Sequence, residues 1–218
     1  MLDNLLGIDS HMDLMEAEER VSKAAAMRLY ETGRLDALDS GTFGALAEIH
    51  RCLFGSIYEW AGRMRDVNLS KGGFRFVPAL YLPEAVEKIE AMPQSTPAEA
   101  ISKYVEMNVA HPFREGNGRS GRIWLDGMMR ALGRTIDWSR ISREDYLLAM
   151  ERSPVRDTEI QSLVIGALSE DLDDHTLLAR AIDASYAYEG YDRYETRGLR
   201  ADCPVSRRPR GSRPARGR

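Results

Sequence analysis

The chain has 218 residues, of which 43% are hydrophobic and 29% are charged, as expected for one globular domain with its own core. Its formal net charge of −4 is uneven, because eight arginines and one aspartate from residue 197 onward give that segment +7 and leave −11 on the rest. The two cysteines exclude a disulfide framework and a cysteine metal cluster, and they favour a reducing, cytoplasmic location.

The N-terminal half predicts three helices and a small hairpin. The first residues, MLDNLLGIDSHMDLM, lack the basic and apolar runs of a signal peptide, and no stretch approaches the roughly 18 apolar residues that cross a bilayer. Apolar residues at helical spacing predict helices over residues 16–30, 42–53 and 82–92. Within residues 66–82, the Gly72-Gly73 pair joins two short β-prone runs, which predicts a hairpin that leans on the helices.

A capping box marks the next helix. Thr96 suits the N-cap, Pro97 the first helical position and Glu99 the third. Pro112 disfavours helical backbone at His111, so this helix is expected to end there.

Four further helices complete the prediction. They cover residues 121–132, a segment capped by Ser142, residues 159–168, and a last helix from Asp173 or Asp174 to Glu189 that Gly190 ends. Residues 194–218 are rich in Arg, Pro, Gly and Ser and are expected to be a disordered tail. The expected fold class is therefore all-α, a helical bundle with one β-hairpin.

The segment HPFREGNGRSGR, residues 111–122, gathers the residue types of a phosphate site. A glycine-rich loop that enters a helix N-terminus presents unpaired N–H groups to an anion, and Arg119 and Arg122 lie on one side of that helix. Two guanidiniums beside such a loop suit a polyphosphate. Glu115 is then explained by a bridging Mg²⁺, and His111 by a general base for a hydroxyl nucleophile. The pattern predicts phosphoryl or nucleotidyl transfer.

The same segment resembles the signature of the Fic (filamentation induced by cAMP) family, HxFx[DE]GNGRxxR, at every fixed position. Its run from Gly116 to Arg119 is similar to the adenylylating branch rather than to the Doc-type kinase branch. The resemblance implies that His111 deprotonates a target hydroxyl, which attacks the α-phosphate of ATP and releases pyrophosphate. It also implies that Glu115 holds Mg²⁺ and that the phosphates are bound by Gly116, Asn117, Gly118, Arg119 and Arg122.

The upstream segment FGSIYEWAGRMRDVNLSKGGFRF resembles the part of the family that leads into a β-hairpin flap. The implied flap consists of Lys71, Gly72, Gly73, Phe74, Arg75 and Phe76, and it would register the target polypeptide by strand addition. The resemblance covers about residues 21–193, which are expected to form a Fic domain. Residues 1–20 are expected to be an N-terminal extension.

Glu189 is unusual at the end of the last helix. The helix dipole disfavours an acid there by about 0.3–1 kcal/mol, and burial would cost more unless a cation pairs with it. Residues 185–190, SYAYEG, resemble the [ST]xxxE[GN] inhibitory motif of Fic proteins in its C-terminal, class III placement. The resemblance implies that Glu189 pairs with Arg122, that Ser185 supports the pair, and that residues 174–189 form an inhibitory helix.

Three tyrosines on this segment, Tyr186, Tyr188 and Tyr191, are candidates for self-modification that would loosen the inhibitory helix. Two alternatives for the function stay open. The first is a Fic-type transferase of UMP, GMP, phosphate or phosphocholine, since the signature specifies the phosphate site better than the base pocket. The second is a nucleic-acid-binding protein that acts through its basic tail. The acidic body, and the lack of aromatic residues interleaved with the arginines of the tail, disfavour it. The target protein and a homo-oligomeric state are not encoded in any pattern.

Overall fold

Eight α-helices and two small sheets make up residues 2–199, the part of the chain that the computed structural model describes. The helices are α1 (His11–Glu31), α2 (Phe43–Phe54), α3 (Leu82–Glu90), α4 (Pro97–Ala110), α5 (Asn117–Ala131), α6 (Arg143–Arg152), α7 (Thr158–Gly166) and α8 (His175–Ala187). The strands are β1 (Ser70–Lys71), β2 (Phe74–Arg75), β3 (Thr135–Ile136) and β4 (Leu168–Ser169), and short 3₁₀ helices cover Ala79–Tyr81, Trp138–Arg140 and Thr196–Gly198. The all-α fold class with one hairpin is confirmed.

Local capping explains where several helices begin. The Thr96 hydroxyl accepts a hydrogen bond from the Glu99 N–H (3.2 Å), and the Glu99 carboxylate accepts one from the Thr96 N–H (3.1 Å), so the predicted capping box is confirmed. Ser142 likewise accepts a hydrogen bond from the N–H of Asp145 at the start of α6. These contacts satisfy N–H groups that have no partner within their own helix.

Helix α5 lies in the middle of the bundle. It packs against α2 and α4 on one side and against α8 on the other, and Trp124 donates its indole N–H to the carbonyl of Thr42 before α2 (2.9 Å). Leu125 and Met129 are fully buried, each contributing roughly 1.5–3 kcal/mol of hydrophobic stabilisation. Because α5 is surrounded, the polar residues of its first turns are buried with it.

The hairpin is formed by β1 and β2, which pair antiparallel with Lys71 opposite Phe74. Gly72 and Gly73 both have positive φ, +55° and +85°, which is the backbone that a two-residue turn of this hand requires. Both strands are exposed. The segment that follows β2 is fastened to α4, because the N–H of Val77 donates to the carbonyl of Val109 (3.4 Å).

Some predicted boundaries were wrong. Helix α5 begins at Asn117 instead of residue 121, and α8 ends at Ala187, so Glu189 lies in the turn after the helix and not in its last turn. The sheet of β3 and β4 was not predicted, because two residues per strand are too few for a periodic pattern.

The expected domain boundaries fall inside packed structure. The break after residue 20 lies within α1, which Ser10 caps. Residues 194–199 contact the bundle: the N–H of Tyr194 donates to Glu19 on α1 (2.9 Å), and that of Thr196 donates to Asp183 on α8 (3.0 Å). The predicted disorder of the tail, and with it the nucleic-acid alternative, concerns residues 200–218, which lie outside the described residues. None of the helices within residues 2–199 is long and apolar enough to span a bilayer.

Candidate active site

The loop between α4 and α5 has an unusual backbone at both ends. His111 has φ +52°, and it is the one non-glycine residue with positive φ within residues 2–199. Such a backbone costs about 1–3 kcal/mol and persists only where the surroundings enforce it. At the other end Gly116 has φ +77°, and a β-carbon on it would lie 2.5 Å from the ring of Phe54. Glycine is therefore needed at 116 both for the turn and for the contact.

The start of α5 has backbone N–H groups without partners, where the sequence predicts an anion site. The side-chain amide of Asn117 is used on the loop itself, since it accepts from the N–H and donates to the carbonyl of Phe113, both at 2.8 Å. Ser120 is the first residue of α5 whose N–H is bonded to the preceding turn. The N–H groups of 117, 118 and 119 have no hydrogen-bond partner among the described residues. They lie at the positive end of the helix dipole.

The side chain of His111 is held in one tautomer. Its Nδ1 lies 3.3 Å from the carbonyl of Asn108, so Nδ1 carries the proton and Nε2 is left as the acceptor. The ring of Phe76 from the flap stacks on the imidazole at 3.8 Å with 15° between the planes. Burial, with a smaller contribution from the nearby Arg65 and Lys71, lowers the pKa of His111 to about 4. His111 is therefore a neutral base at pH 7.

Arg119 is completely buried among three carboxylates. Its guanidinium lies 3.2 Å from Glu18, 3.2 Å from Glu115 and 3.3 Å from Glu189. It is also 4.2 Å from the ring of Tyr191. The contact with Glu189 is made by Nε, which faces the carboxylate at 3.3 Å without the geometry of a hydrogen bond.

Arg122 is held by the segment at the end of α8. Its Nη2 donates to the carboxylate of Glu189 (2.6 Å) and to the carbonyl of Ser185 (2.8 Å), and its Nε donates to the Ser185 hydroxyl (2.6 Å). Its Nη1 donates to the hydroxyl of Tyr146 from α6 (3.2 Å). The predicted contacts of Glu189 and Ser185 with Arg122 are thus present, and Glu189 contacts Arg119 as well.

Glu189 lies against the start of α5, between the two arginines. A β-carbon on Gly118 would lie 2.1 Å from one of its carboxylate oxygens, so the carboxylate rests directly on the first turn of α5. Burial by itself raises the pKa of Glu189, but Arg122 and Arg119 outweigh it and hold the pKa below its usual value. The carboxylate is therefore ionised at the N-terminus of α5, within contact of both arginines.

Comparison with known proteins identifies the family. The model of the Fic/DOC family matches residues 42–129, which include the loop and most of α5. The "Probable protein adenylyltransferase y4lH" of Sinorhizobium fredii is 30% identical over 165 residues, which cover 70% of this chain and 83% of that protein. This chain belongs to the Fic/DOC family.

Other Fic proteins extend the comparison. The "Protein adenylyltransferase VbhT" of Bartonella schoenbuchensis is 33% identical over 174 residues, 74% of this chain, although this chain spans only 36% of its length. The BepC protein of Bartonella tribocorum, solved with bound AMPPNP, has the same fold with a TM-score of 0.67. It is 20% identical, and the match covers 78% of this chain and 92% of that chain.

The loop between α4 and α5, together with the end of α8, brings most of the predicted site residues together. Direct contacts join Glu115, Arg119, Arg122, Ser185 and Glu189 at the start of α5, where the Glu189 carboxylate rests on Gly118. His111 is near enough to Glu189 for that charge to act on the pKa of its imidazole. Among the flap residues, Phe76 reaches His111, while Phe74 stays exposed and packs edge-on against Phe76. The side chain of Asn117 shapes the loop and does not face the anion.

The tyrosines proposed for self-modification are buried in this conformation. Tyr186 and Tyr188 are 1% and 3% exposed, and Tyr191 is 9% exposed. The Tyr188 hydroxyl donates to the carbonyl of Trp138, and that of Tyr191 donates to Glu18. They are packing residues here, and modification would first require the segment to leave the bundle.

Two residues that contact the site were not predicted. Glu18 on α1 accepts hydrogen bonds from Tyr58, Tyr191 and Arg119 and is 4% exposed. It lies on the buried face of α1, four residues after Leu14, so a carboxylate on an apolar stripe was the available signal. Tyr146 on α6 had no such signal, because a tyrosine on an apolar face usually marks only packing.

Proposed function

We propose that this Fic chain is a protein adenylyltransferase, which transfers AMP from ATP to a Tyr, Ser or Thr hydroxyl of another protein. One juxtaposition supports the proposal most directly: a neutral histidine borders an anion site that is built from unpaired helix N–H groups and two buried arginines. VbhT is named a protein adenylyltransferase and y4lH a probable one, and BepC was solved with AMPPNP; all three agree with the proposal.

The chemistry follows from the positions of these groups. The target hydroxyl gives its proton to Nε2 of His111, while its oxygen forms a bond to the α-phosphorus of ATP. The bond between the α-phosphorus and the oxygen that bridges to the β-phosphate breaks, and pyrophosphate leaves. Arg119, Arg122 and the N–H groups of α5 stabilise the charge on the leaving phosphates. Nε of Arg119 fits this assignment, because its 3.3 Å contact with the Glu189 carboxylate lacks hydrogen-bond geometry and a phosphate oxygen in that place would accept its N–H.

Glu115 suits a magnesium ion that ATP brings with it. Its side chain is 44% exposed, and only Oε1 is engaged, by the N–H of Gly116 and by Arg119. Within residues 2–199 no cluster of three or more carboxylate, His or Cys ligands exists. A single carboxylate agrees with Mg²⁺, which is usually held by one or two carboxylates together with phosphates. When bound, the ion neutralises charge on the phosphates.

The flap presents the target to His111. The strands β1 and β2 are exposed and short, and their free backbone edge can pair with an extended segment of the target. Phe76 connects this surface to the imidazole by stacking on it. Residues 71–76 therefore bind backbone, and selection among hydroxyl side chains is loose.

Autoinhibition by Glu189 is the second part of the proposal. The carboxylate pairs with Arg122 at 2.6 Å and covers Gly118, so the phosphates of ATP compete with it for the same groups. The chain as described is the inhibited form. Release requires the turn after α8 to move away from α5.

The decisive experiment follows label from ATP into protein. Glu189→Gly is incubated with a bacterial lysate and ATP labelled at the α-phosphate. Labelled bands are expected to be at least about tenfold stronger than with the wild-type chain. A tenfold gain corresponds to removing about 1.4 kcal/mol of competition between Glu189 and the phosphates of ATP. Label at the γ-phosphate should give no bands. Unlabelled ATP, but not UTP or GTP, should compete.

Matched variants make this test specific. Adding His111→Ala to Glu189→Gly should abolish the label. Glu195→Gly, which removes an exposed acid six residues further on, should behave as wild type. Label that persists without His111, or that comes from the γ-phosphate, would exclude AMP transfer by this site.

A further inference from the structure

Arg65 lies between the flap and the catalytic loop, and neither the family signature nor the chemistry above uses it. It lies in the segment between α2 and β1, and its side chain is 3% exposed. Within residues 2–199 no carboxylate forms an ion pair with it, so a full positive charge is buried without a counter-charge. A buried arginine in that position needs other acceptors.

Four backbone carbonyls supply those acceptors. Nε of Arg65 donates to the carbonyl of His111 (2.7 Å), and Nη2 donates to those of Ala110 (3.0 Å) and Val77 (2.6 Å). Nη1 donates to the carbonyl of Val67 (2.6 Å). Four of the five guanidinium N–H groups are used, and all four acceptors are main-chain groups.

The four carbonyls belong to two different parts of the site. Ala110 and His111 end α4, where the helix dipole is negative and a cation is favourable. Val67 and Val77 lie just before β1 and just after β2, at the base of the flap. The backbone N–H of Arg65 also donates to the carbonyl of Pro112 (2.8 Å). One side chain therefore joins the base of the flap to the strained backbone of the histidine.

We infer that Arg65 is a positioning residue, which sets the histidine at a defined distance from the target hydroxyl that the flap presents. This inference rests on the proposed adenylyl transfer. Transfer needs the hydroxyl within hydrogen-bond reach of His111 Nε2, and a displacement of about 1 Å can cost on the order of a hundredfold in rate. ATP is bound by α5, which Arg65 does not contact, so its binding does not depend on this residue.

Lysine cannot replace this arginine. The ammonium of Arg65→Lys keeps the charge, but it is a single point with three donors, and it cannot reach four carbonyls that lie in separate directions. Arg65→Gln removes the charge as well. The two variants therefore separate the effect of geometry from the effect of charge.

The test compares both variants in the Glu189→Gly background. Here kcat is the rate at which label from α-labelled ATP enters the proteins of a bacterial lysate at saturating MgATP, and the Kd for MgATP is measured on the same variants. Both are expected to lower kcat by about tenfold or more, with the Kd for MgATP within twofold of the parent. The control is Arg63→Gln, two residues away, whose side chain is 65% exposed. It should leave both quantities unchanged.

The pH profile adds a result that a scaffold role would not produce. The charged groups near His111 are Arg65, Lys71 of the flap and Glu189, which the background removes. Losing one of the two cations raises the pKa of the imidazole, so the acid limb of the profile, which begins below pH 6 near the pKa of about 4, should move to higher pH in Arg65→Gln but not in Arg65→Lys.

The outcomes are separable. The inference is overturned if the variants keep the kcat and the pH dependence of the parent. It is also overturned if the affinity for MgATP falls in parallel with kcat, because that result indicates general unfolding of the site. If Arg65→Gln does not fold, Arg65→Lys alone decides through kcat and Kd. If the Glu189→Gly parent binds MgATP but labels no protein, the proposed function fails and not the role of Arg65.

Discussion

Glu189 and Arg122 form an ion pair of 2.6 Å between a turn at the end of the bundle and the first turns of its central helix. The arginine is 2% exposed and the carboxylate 21% exposed, so the pair is largely shielded from water. A second oxygen of Glu189 lies 3.3 Å from Arg119. The same carboxylate thus neutralises two buried cations, which links the stability of the chain to the occupancy of the anion site.

Removing that carboxylate should destabilise the chain until nucleotide replaces it. Arg119 keeps Glu18, and Arg122 keeps Ser185 and Tyr146, so Glu189→Gly is expected to cost about 1–2 kcal/mol, or about 5 °C in Tm for a domain of this size. The Tm of both proteins is to be measured at pH 7.5. Because the folded pKa of Glu189 is lowered, its contribution is fully present there and is lost only as pH falls through that pKa.

Differential scanning fluorimetry with and without MgATP checks this. MgATP should raise the Tm of Glu189→Gly more than that of the wild-type chain, since a ligand at a hundred times its Kd adds about 2.7 kcal/mol. Glu195→Gly serves as the control. Equal shifts in wild type and variant would mean that ATP and Glu189 do not compete.

Gly118 should be essential for nucleotide rather than for folding. It lies in the first turn of α5 with helical backbone, where alanine is favoured over glycine by about 1 kcal/mol, so Gly118→Ala should fold. Its β-carbon would lie 2.1 Å from the present position of a Glu189 oxygen, which is where the proposal puts a phosphate oxygen of ATP. Calorimetry on Glu189→Gly should show the Kd for MgATP weakened by about tenfold or more, a loss of about 1.4 kcal/mol.

Gly166→Ala is the matched control, because a β-carbon there meets open space. Unchanged affinity in Gly118→Ala would show that the phosphates bind away from the turn that Glu189 covers.

Local signals in the sequence were enough to predict the loop and its surroundings. Pro112 ends α4, Gly116 makes the turn before α5, and Gly72-Gly73 closes the flap, each through the backbone of a few neighbouring residues. The pairing of Glu189 with Arg122 was also predictable, because a carboxylate in that position needs a cation. The choice of Arg122 as that cation came from the resemblance of residues 185–190 to the inhibitory motif of Fic proteins.

Contacts across long stretches of chain were not predictable. Glu18 meets Arg119 from a position 101 residues away, and nothing local selects that partner. Arg65 had no signal at all, because its acceptors are carbonyls and carbonyls occur at every residue. The end of α8 at Ala187 was missed since the tyrosines that follow continue the apolar stripe and pack beyond the helix.

The low pKa of His111 predicts a flat pH dependence of transfer. Burial lowers that pKa to about 4, so the imidazole stays neutral at pH 6 and is protonated only as pH falls further. A histidine with the usual value near 6.5 would lose about fourfold in neutral fraction between pH 8 and pH 6. The kcat/KM of Glu189→Gly for its target, at saturating MgATP, should therefore change by less than about 1.5-fold over this range. A fourfold decrease at pH 6 would contradict the buried position of the base.

The segment after Glu189 should contribute to inhibition through Tyr191. Its hydroxyl donates to the buried carboxylate of Glu18 (2.9 Å), which fastens the turn that holds Glu189 to α1. Tyr191→Phe removes this hydrogen bond to a charged acceptor, worth about 1.5–3 kcal/mol, and part of that should appear as a three- to tenfold rise in labelled AMP transfer, roughly 0.7–1.4 kcal/mol. The rise should stay below that of Glu189→Gly and disappear in the double variant, because both act on the same turn. Tyr81→Phe, at a side chain that is 58% exposed, is the control. If Tyr191→Phe transfers no more AMP than wild type, the turn is held by Glu189 and its arginines without help from α1.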